Sequence, residues 1–163
     1  MKMVQFQEDA LNYWQTKCPA DPNLLPSRND IKAPDLGRIM TRVIIVDIID
    51  DPRDIQYRLI GTFLRDFFHE DYTGKRFSEL EGKGPGSKIW QLHEHVLKSR
   101  RPIFCNQPYV GPKADYMQVA SLFLPLASDH MNIDKIMAVL NFETRMDPDT
   151  KELKDNTFTI VEL

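Results

Sequence analysis

Residues 43–62, VIIVDIIDDPRDIQYRLIGT, decide the fold class of this chain. The first half, residues 43–49, is rich in β-branched side chains, which favour extended strands, and it ends at an Asp-Asp-Pro turn. In the second half, the apolar residues Ile55, Tyr57 and Leu59 alternate with polar residues, at the period of a half-buried strand. The segment therefore predicts two adjacent strands that form a hairpin.

Helical and strand patterns follow on the C-terminal side of this hairpin. A helix is predicted over residues 87–100, with one face formed by Ile89, Leu92, His93, Val96 and Leu97. Three more strands are predicted over residues 103–109, 116–125 and 135–142. A doubly wound parallel sheet is excluded, because it requires strands and helices to alternate. The order predicts an α+β fold, a five-stranded antiparallel sheet with helices on one face.

An amphipathic helix is predicted upstream, over residues 4–17. Its aromatic face is formed by Phe6, Ala10, Tyr13 and Trp14. The strand near residues 117–124 carries apolar side chains on both faces, whereas an antiparallel sheet with one solvated face alternates apolar with polar. We therefore expect this helix, or a second copy of the chain, to cover the second face. The chain divides into residues 1–22, the helix and connector, and residues 23–163, a single domain.

Composition excludes several classes of function. The chain has 163 residues, of which 42% are hydrophobic and 28% charged, which is typical of a globular domain with a buried core. Its net charge of -3 provides no basic field for nucleic acid. It contains no run near the roughly 18 apolar residues of a membrane span and no secretory signal, so we expect a cytoplasmic location. The two cysteines lack CxxC spacing and are expected to be free thiols.

Four short motifs occur in order along the chain: LPSRNDI at 25–31, YRLIGT at 57–62, DYTGK at 71–75 and LPL at 124–126. Gly61 marks the switch from strand to helix, Gly74 permits a positive φ at a turn, and Pro125 interrupts a strand ladder. Over about residues 24–143 the chain resembles a PAS domain, specifically a bacterial PAS family usually found as stand-alone proteins of this length. The resemblance implies a small sheet with helices packed around a ligand cavity.

Six cavity candidates follow from this fold: Tyr57, Phe67, His93, Val96, Cys105 and Met117. His93 lies on the apolar face of its helix, where a neutral imidazole needs a polar partner. That partner is a carbonyl or side chain of the core, a bound organic ligand, or the iron of haem, which a helix histidine ligates in some PAS domains. No resident cofactor is expected otherwise, and Cys105 is predicted to be a buried, inert thiol.

The resemblance implies a non-enzymatic sensory or regulatory domain that binds a small apolar or amphipathic ligand, or no ligand. Signalling is expected through protein contacts, in a homodimer or with a partner protein. An enzyme is disfavoured, because phosphate loops, nucleophile elbows and metal-ligand motifs are missing, and no metal site is predicted. Two alternatives stay open: a small isomerase or dehydratase that pairs His93 with Glu94 or Asp115, and a ligand-free structural adaptor.

Overall fold

The computed structural model describes residues 2–144 and 159–163, which form a six-stranded antiparallel sheet with helices on both faces. The strands are β1 (Val43–Asp50), β2 (Arg53–Ile60), β3 (Ile103–Pro108), β4 (Tyr116–Leu126), β5 (Lys135–Thr144) and β6 (Thr159–Glu162). Their order in the sheet is β2-β1-β5-β4-β3-β6. Residues 145–158, which the predicted domain over 23–163 includes, lie outside the described residues.

The described helices are α1 (Gln5–Lys17), α2 (Ala33–Leu36) and α3 (Lys88–Ser99). Short 3-10 helices occur at Arg28–Asp30, Gly37–Arg42, Thr62–Phe67 and Phe77–Glu79. The N-terminus of α3 is capped by Ser87, whose hydroxyl oxygen accepts a hydrogen bond from the Trp90 amide. In the described part of the chain, every helix is too short or too polar to cross a membrane.

The sheet contains one strand more than the five that the sequence predicts. β6 pairs with β3 at the edge of the sheet, from Ile103 opposite Glu162 to Asn106 opposite Thr159. Four residues are too few for side-chain alternation to distinguish a strand from a loop, so the pattern could not reveal β6. The other five strands begin and end within two residues of the predicted bounds.

Strands β1 to β5 contribute side chains to two hydrophobic cores, one on each side of the sheet. We call the side that contacts α3 the helical face and the side that contacts α1 the N-terminal face. Along β4, Val119 and Phe123 lie on the helical face, whereas Ala120, Leu122 and Leu124 lie on the N-terminal face. Because both faces are covered, apolar side chains occur on both, and the simple alternation of a half-solvated sheet is lost.

The N-terminal face is covered by α1 of the same chain. Ala10 and Trp14 are buried there, and Phe6 and Tyr13 are half-buried and pack at its margin. The aromatic face of the amphipathic helix therefore lies against the sheet. Of the two covers that the sequence predicted for the second face, this helix or a second copy of the chain, the structure shows the helix.

Two polar side chains fix α1 to the sheet. The indole nitrogen Nε1 of Trp14 donates a hydrogen bond of 2.9 Å to the Pro125 carbonyl. Gln7 is completely buried, and its Nε2 donates to the carbonyl oxygens of Ala120 on β4 and Val139 on β5, both at 3.0 Å. Buried polar groups are tolerated when they are hydrogen-bonded, so these two residues add specificity to the apolar contact.

The motifs behind the family resemblance have structural roles. At Gly61, a Cβ atom would lie 2.3 Å from the carbonyl oxygen of Thr41, so a larger residue cannot occupy this close backbone approach. Gly74 has a φ of +82°, the left-handed conformation that glycine adopts without strain. Pro125 lies on a stretch of β4 beyond Phe123, where the pairing with β3 ends.

Candidate functional site

The candidate site lies on the helical face, between the sheet and the segments that connect β2 to α3. It consists of Tyr57, Phe68, Tyr72, Phe77, Lys83, His93 and Phe123, and we call these residues the aromatic site. The ring of Tyr57 is central, since its centroid lies 5.8 Å from that of Tyr72 and 4.8 Å from that of Phe77. Such contacts give aromatic rings more stabilisation than burial alone. The site is thus a continuous aromatic surface that also carries the ammonium group of Lys83 and the imidazole of His93.

His93 occupies the interior of the aromatic site. Its Nδ1 lies 2.8 Å from the carbonyl oxygen of Ile89, one turn earlier in α3. Since a carbonyl can only accept, Nδ1 carries the proton and Nε2 keeps a lone pair. The rings of Phe77 and Phe123 contact the imidazole edge to face, at 5.1 and 5.2 Å between centroids. Among residues 2–144 and 159–163, Nε2 has no hydrogen-bond partner.

The imidazole of His93 is neutral at physiological pH. Burial lowers the pKa of His93 to about 4, the hydrogen bond to Ile89 opposes this shift, and the positive charge of Lys83 adds to it. The bond to the carbonyl is the contact that a core histidine requires. Nε2 remains the atom through which His93 would bind a ligand or an iron.

Lys83 places its ammonium group beside the aromatic surface. Its Nζ lies 5.4 Å from the ring centroid of Tyr72, 5.9 Å from that of Phe68 and 6.0 Å from that of Tyr57. The side chain is half-buried, and burial lowers the pKa of Lys83. Within the described residues it forms no ion pair with a carboxylate.

The comparison with protein families agrees with this architecture. A family model described as PAS domain matches residues 2–141. The chain belongs to the PAS domain family. The predicted resemblance is confirmed, and the matched region includes α1 as well as the strands from β1 into β5. PAS domains are in general sensory or regulatory and in general not enzymes. No curated protein and no solved structure matches the chain.

Four of the six predicted cavity residues lie in one core of this PAS domain. Tyr57, His93, Val96 and Cys105 are all buried on the helical face. Burial raises the pKa of Cys105 to about 12, so its thiol is protonated and unreactive at neutral pH. Cys105 can therefore contribute packing to a site here, and not nucleophilic chemistry.

The other two predicted residues lie outside this core. Phe67 stacks on Phe142 at 3.9 Å in a second aromatic group, near the end of β5. Met117 is 38% exposed and belongs to neither core. The pairing register of β4 with β5 shifts between Tyr116 and Gln118, and such a bulge removes the residue within it from the regular alternation of faces.

Sequence reasoning missed the residues that loops contribute to the site. Tyr72 belongs to the DYTGK motif and Lys83 to a Gly-Lys-Gly-Pro-Gly segment, and both segments are typical of turns. An aromatic residue inside an otherwise polar turn motif was the available signal for Tyr72. Nothing local indicated Lys83, because its position over the rings depends on how the loop packs against the sheet.

The structure provides no carboxylate partner for His93. Glu94, the next residue of α3, is half-buried and makes no hydrogen bond to the imidazole, and Asp115 is exposed. Throughout the described ranges, histidine, cysteine and acidic side chains do not form a group of three that could hold a metal ion. The acid and base pair that the isomerase alternative requires is thus not assembled around His93.

A surface depression lies away from the aromatic site, between the end of α3 and the turn that joins β1 to β2. It is lined by Asp50, Arg53, Leu97, Arg100, Asn132 and Ile133. An exposed ion pair of 3.0 Å between Asp50 and Arg53 occupies its rim. The depression shares no residue with the aromatic site and contains no unusual chemistry, so we assign no function to it.

Proposed function

We propose that this PAS domain is a non-enzymatic sensory or regulatory domain that binds a small organic molecule in the aromatic site. The observation that carries the proposal is a pair of polar groups, the Tyr57 hydroxyl and the His93 Nε2. Both side chains are buried, and neither atom has a hydrogen-bond partner in the described part of the chain, although neither is wholly removed from solvent. Ligand pockets combine apolar walls with a few available polar groups of this kind.

The two groups define the chemistry that a ligand would meet. Burial raises the pKa of Tyr57, so its hydroxyl stays protonated and can donate a hydrogen bond. The neutral His93 accepts through Nε2. The surrounding rings of Phe77 and Phe123 favour an apolar or aromatic body. The proposed ligand is therefore a small amphipathic molecule and not a highly charged metabolite.

The proposed output passes through α1. Arg42 stacks on two aromatic rings, with its guanidinium carbon 3.8 Å from the centroid of Phe63 and 5.0 Å from that of Phe6 on α1. Phe63 in turn contacts Phe67 at 5.1 Å. A ligand changes the packing of α1 only to the extent that it binds two packings with different affinity. The receiver is a second copy of the chain or another signalling protein, in the cytoplasm.

Native mass spectrometry of the freshly purified full chain, with an absorption spectrum, tests ligand binding. We expect an additional mass of one organic molecule that denaturation releases, and no Soret band. A Soret band would assign His93 to haem and contradict the organic-ligand proposal. A bare mass, together with no rise in Tm in a screen of small amphipathic molecules, would favour the ligand-free adaptor, because a bound ligand must stabilise the folded state.

A matched pair of tyrosine variants tests the position of the site. Tyr57→Phe removes only the proposed donor, and we expect a roughly fivefold to tenfold loss of ligand affinity, the effect of one neutral hydrogen bond. Tyr13→Phe is the control, since the Tyr13 hydroxyl bonds Asp35 and Lys32 on the other side of the sheet. Equal affinities of both variants and the wild type would place the ligand elsewhere.

A further inference from the structure

Lys83 differs from Lys75, a second lysine over the rings of the aromatic site, in having no carboxylate partner among the described residues. Lys75 also lies over the Tyr72 ring, at 5.9 Å, but its Nζ is 2.6 Å from Oε2 of Glu70. Lys83 contacts only aromatic rings at 5.4 to 6.0 Å, which is the outer part of the range of cation–π attraction. Its charge is partly removed from water and only weakly compensated.

The carboxylates of the surrounding segments already bond other groups. Four of them accept hydrogen bonds: Asp54 from Ser78, Glu70 from Lys75, Asp71 from the Thr73 amide and Glu79 from the Arg76 amide. Glu81, two residues before Lys83, is exposed and forms no ion pair with it. An ion pair with one of these carboxylates is thus not what holds Lys83 in place.

The loop that carries Lys83 directs it toward the rings. Gly82 has a φ of +72° and Gly86 a φ of +85°, conformations that larger residues rarely adopt. The backbone therefore turns sharply on both sides of the lysine. Long side chains of this kind usually extend their ammonium group into water, whereas this one remains half-buried against Tyr57 and Tyr72.

We propose that Lys83 is the counter-ion for a carboxylate on the ligand of the aromatic site. The ligand class is then an organic monocarboxylate with an apolar or aromatic body. This inference rests on the proposed function and specifies its ligand. The carboxylate pairs with Lys83, and the body extends along the rings of Tyr57 and Phe77 toward His93, which follow one another at 4.8 and 5.1 Å. A cationic ligand is disfavoured, because Lys83 already occupies the space over the rings and would repel it.

Calorimetric titration of the full chain with two matched pairs of probes tests the proposal. The pairs are phenylacetate with phenylacetamide, and decanoate with 1-decanol. We expect the wild type to bind at least one carboxylate roughly tenfold to a hundredfold more tightly than its neutral partner, the effect of a charge-assisted hydrogen bond. Lys83→Met should abolish this preference by weakening the binding of the carboxylate.

Two further variants separate charge from packing. Lys83→Arg keeps the positive charge and should keep most of the preference for the carboxylate. Lys75→Met removes a lysine that already has a carboxylate partner and should leave the preference unchanged. Independently of affinity, the pKa of Lys83 followed by 15N NMR should rise when the carboxylate probe binds, because a nearby anion favours the charged ammonium.

The outcomes distinguish this inference from the proposed function. Equal affinity of the wild type for acid and neutral probe, or a preference that survives Lys83→Met, overturns the role of Lys83 and leaves ligand binding intact. If none of the four probes binds, the monocarboxylate class is wrong, and the mass spectrum of the purified protein decides separately whether the domain carries a ligand of another class.

Discussion

The two faces of the sheet bury cores of different chemistry. On the N-terminal face the core is mainly aliphatic, and the two polar side chains that α1 contributes, Gln7 and Trp14, both donate to backbone carbonyls, whereas the buried Oδ1 of Asn106 on β3 has no hydrogen-bond partner in the described residues. On the helical face the core is rich in aromatic rings, and Tyr57, His93 and Lys83 present polar atoms without hydrogen-bonding or ionic partners in the described residues. The same strands supply both cores, so the difference lies in the side chains and not in the backbone.

This contrast separates stability from binding within one sheet. Fully satisfied polar groups in an apolar core favour a single packing. Polar groups that lack partners lower stability unless something else binds them, which is typical of functional sites. The proposed function assigns the ligand to the helical face, whereas on the N-terminal face the bonds of Gln7 and Trp14 attach α1 to the sheet. Substitutions on the two faces should therefore have different signatures.

Trp14→Ala should have the largest effect. It removes a buried aromatic side chain and the donor to the Pro125 carbonyl, and we expect a loss of about 3–5 kcal/mol in the free energy of unfolding. Urea unfolding measures this change. Asn12→Ala, an exposed position of the same helix, is the control and should change stability by less than about 0.5 kcal/mol. A loss below about 1 kcal/mol for Trp14→Ala would show that α1 does not secure this face.

His93→Phe should have an intermediate effect. It should change how the free energy of unfolding depends on pH. The pKa of His93 is lowered from 6.5 to about 4 by folding, so protonation favours the unfolded state. The stability contributed by the neutral histidine is complete above pH 6.5 and is lost as the pH falls toward 4. Between pH 7 and pH 5 the wild type should lose roughly 2 kcal/mol more than His93→Phe does.

Unfolding curves at several pH values measure this difference. His95→Gln is the control on the same helix, because His95 is partly exposed and bonds Glu162. We expect His95→Gln to retain the wild-type loss of stability at low pH. If His93→Phe retains it as well, the imidazole is not buried in its neutral form.

Lys83→Met should have the smallest effect on stability. The methionine keeps an apolar stem over the rings and removes a charge whose pKa burial lowers, so we expect a free energy of unfolding equal to that of the wild type or slightly higher. Lys75→Met should instead lose up to about 1 kcal/mol with its exposed ion pair to Glu70. A loss above about 1 kcal/mol for Lys83→Met would make Lys83 a structural residue.

The sequence predicted the helices and strands whose buried residues recur at a regular spacing. The β-branched run before Asp50 and the apolar stripe of α3 predicted the hairpin and the long helix, because burial imposes a period on each element. The aromatic residues of α1 predicted a covering helix. Gln7 gave no signal, since a glutamine in an amphipathic helix is usually solvated, and its burial depends on two carbonyls far away in the chain.

The candidate site was predictable only where it lies on regular elements. Tyr57 and His93 follow from strand and helix faces, whereas Tyr72 and Lys83 are placed by loops that pack against the core. Loop packing depends on contacts remote in sequence, and local composition indicates only that the segment turns. Met117 was predicted to line the cavity, and the register shift at the start of β4 takes it out of the regular alternation of faces.

The two hydrogen bonds of the Gln7 side-chain amide depend on the distance between two neighbouring strands. Its single nitrogen lies 3.0 Å from carbonyl oxygens of both β4 and β5. A separation of these strands by about half an ångström would lengthen one of the bonds beyond hydrogen-bonding distance. A ligand that spread β4 and β5 from the opposite face would thus loosen the first turn of α1, and the hydrogen-exchange rate of that turn would rise when it bound.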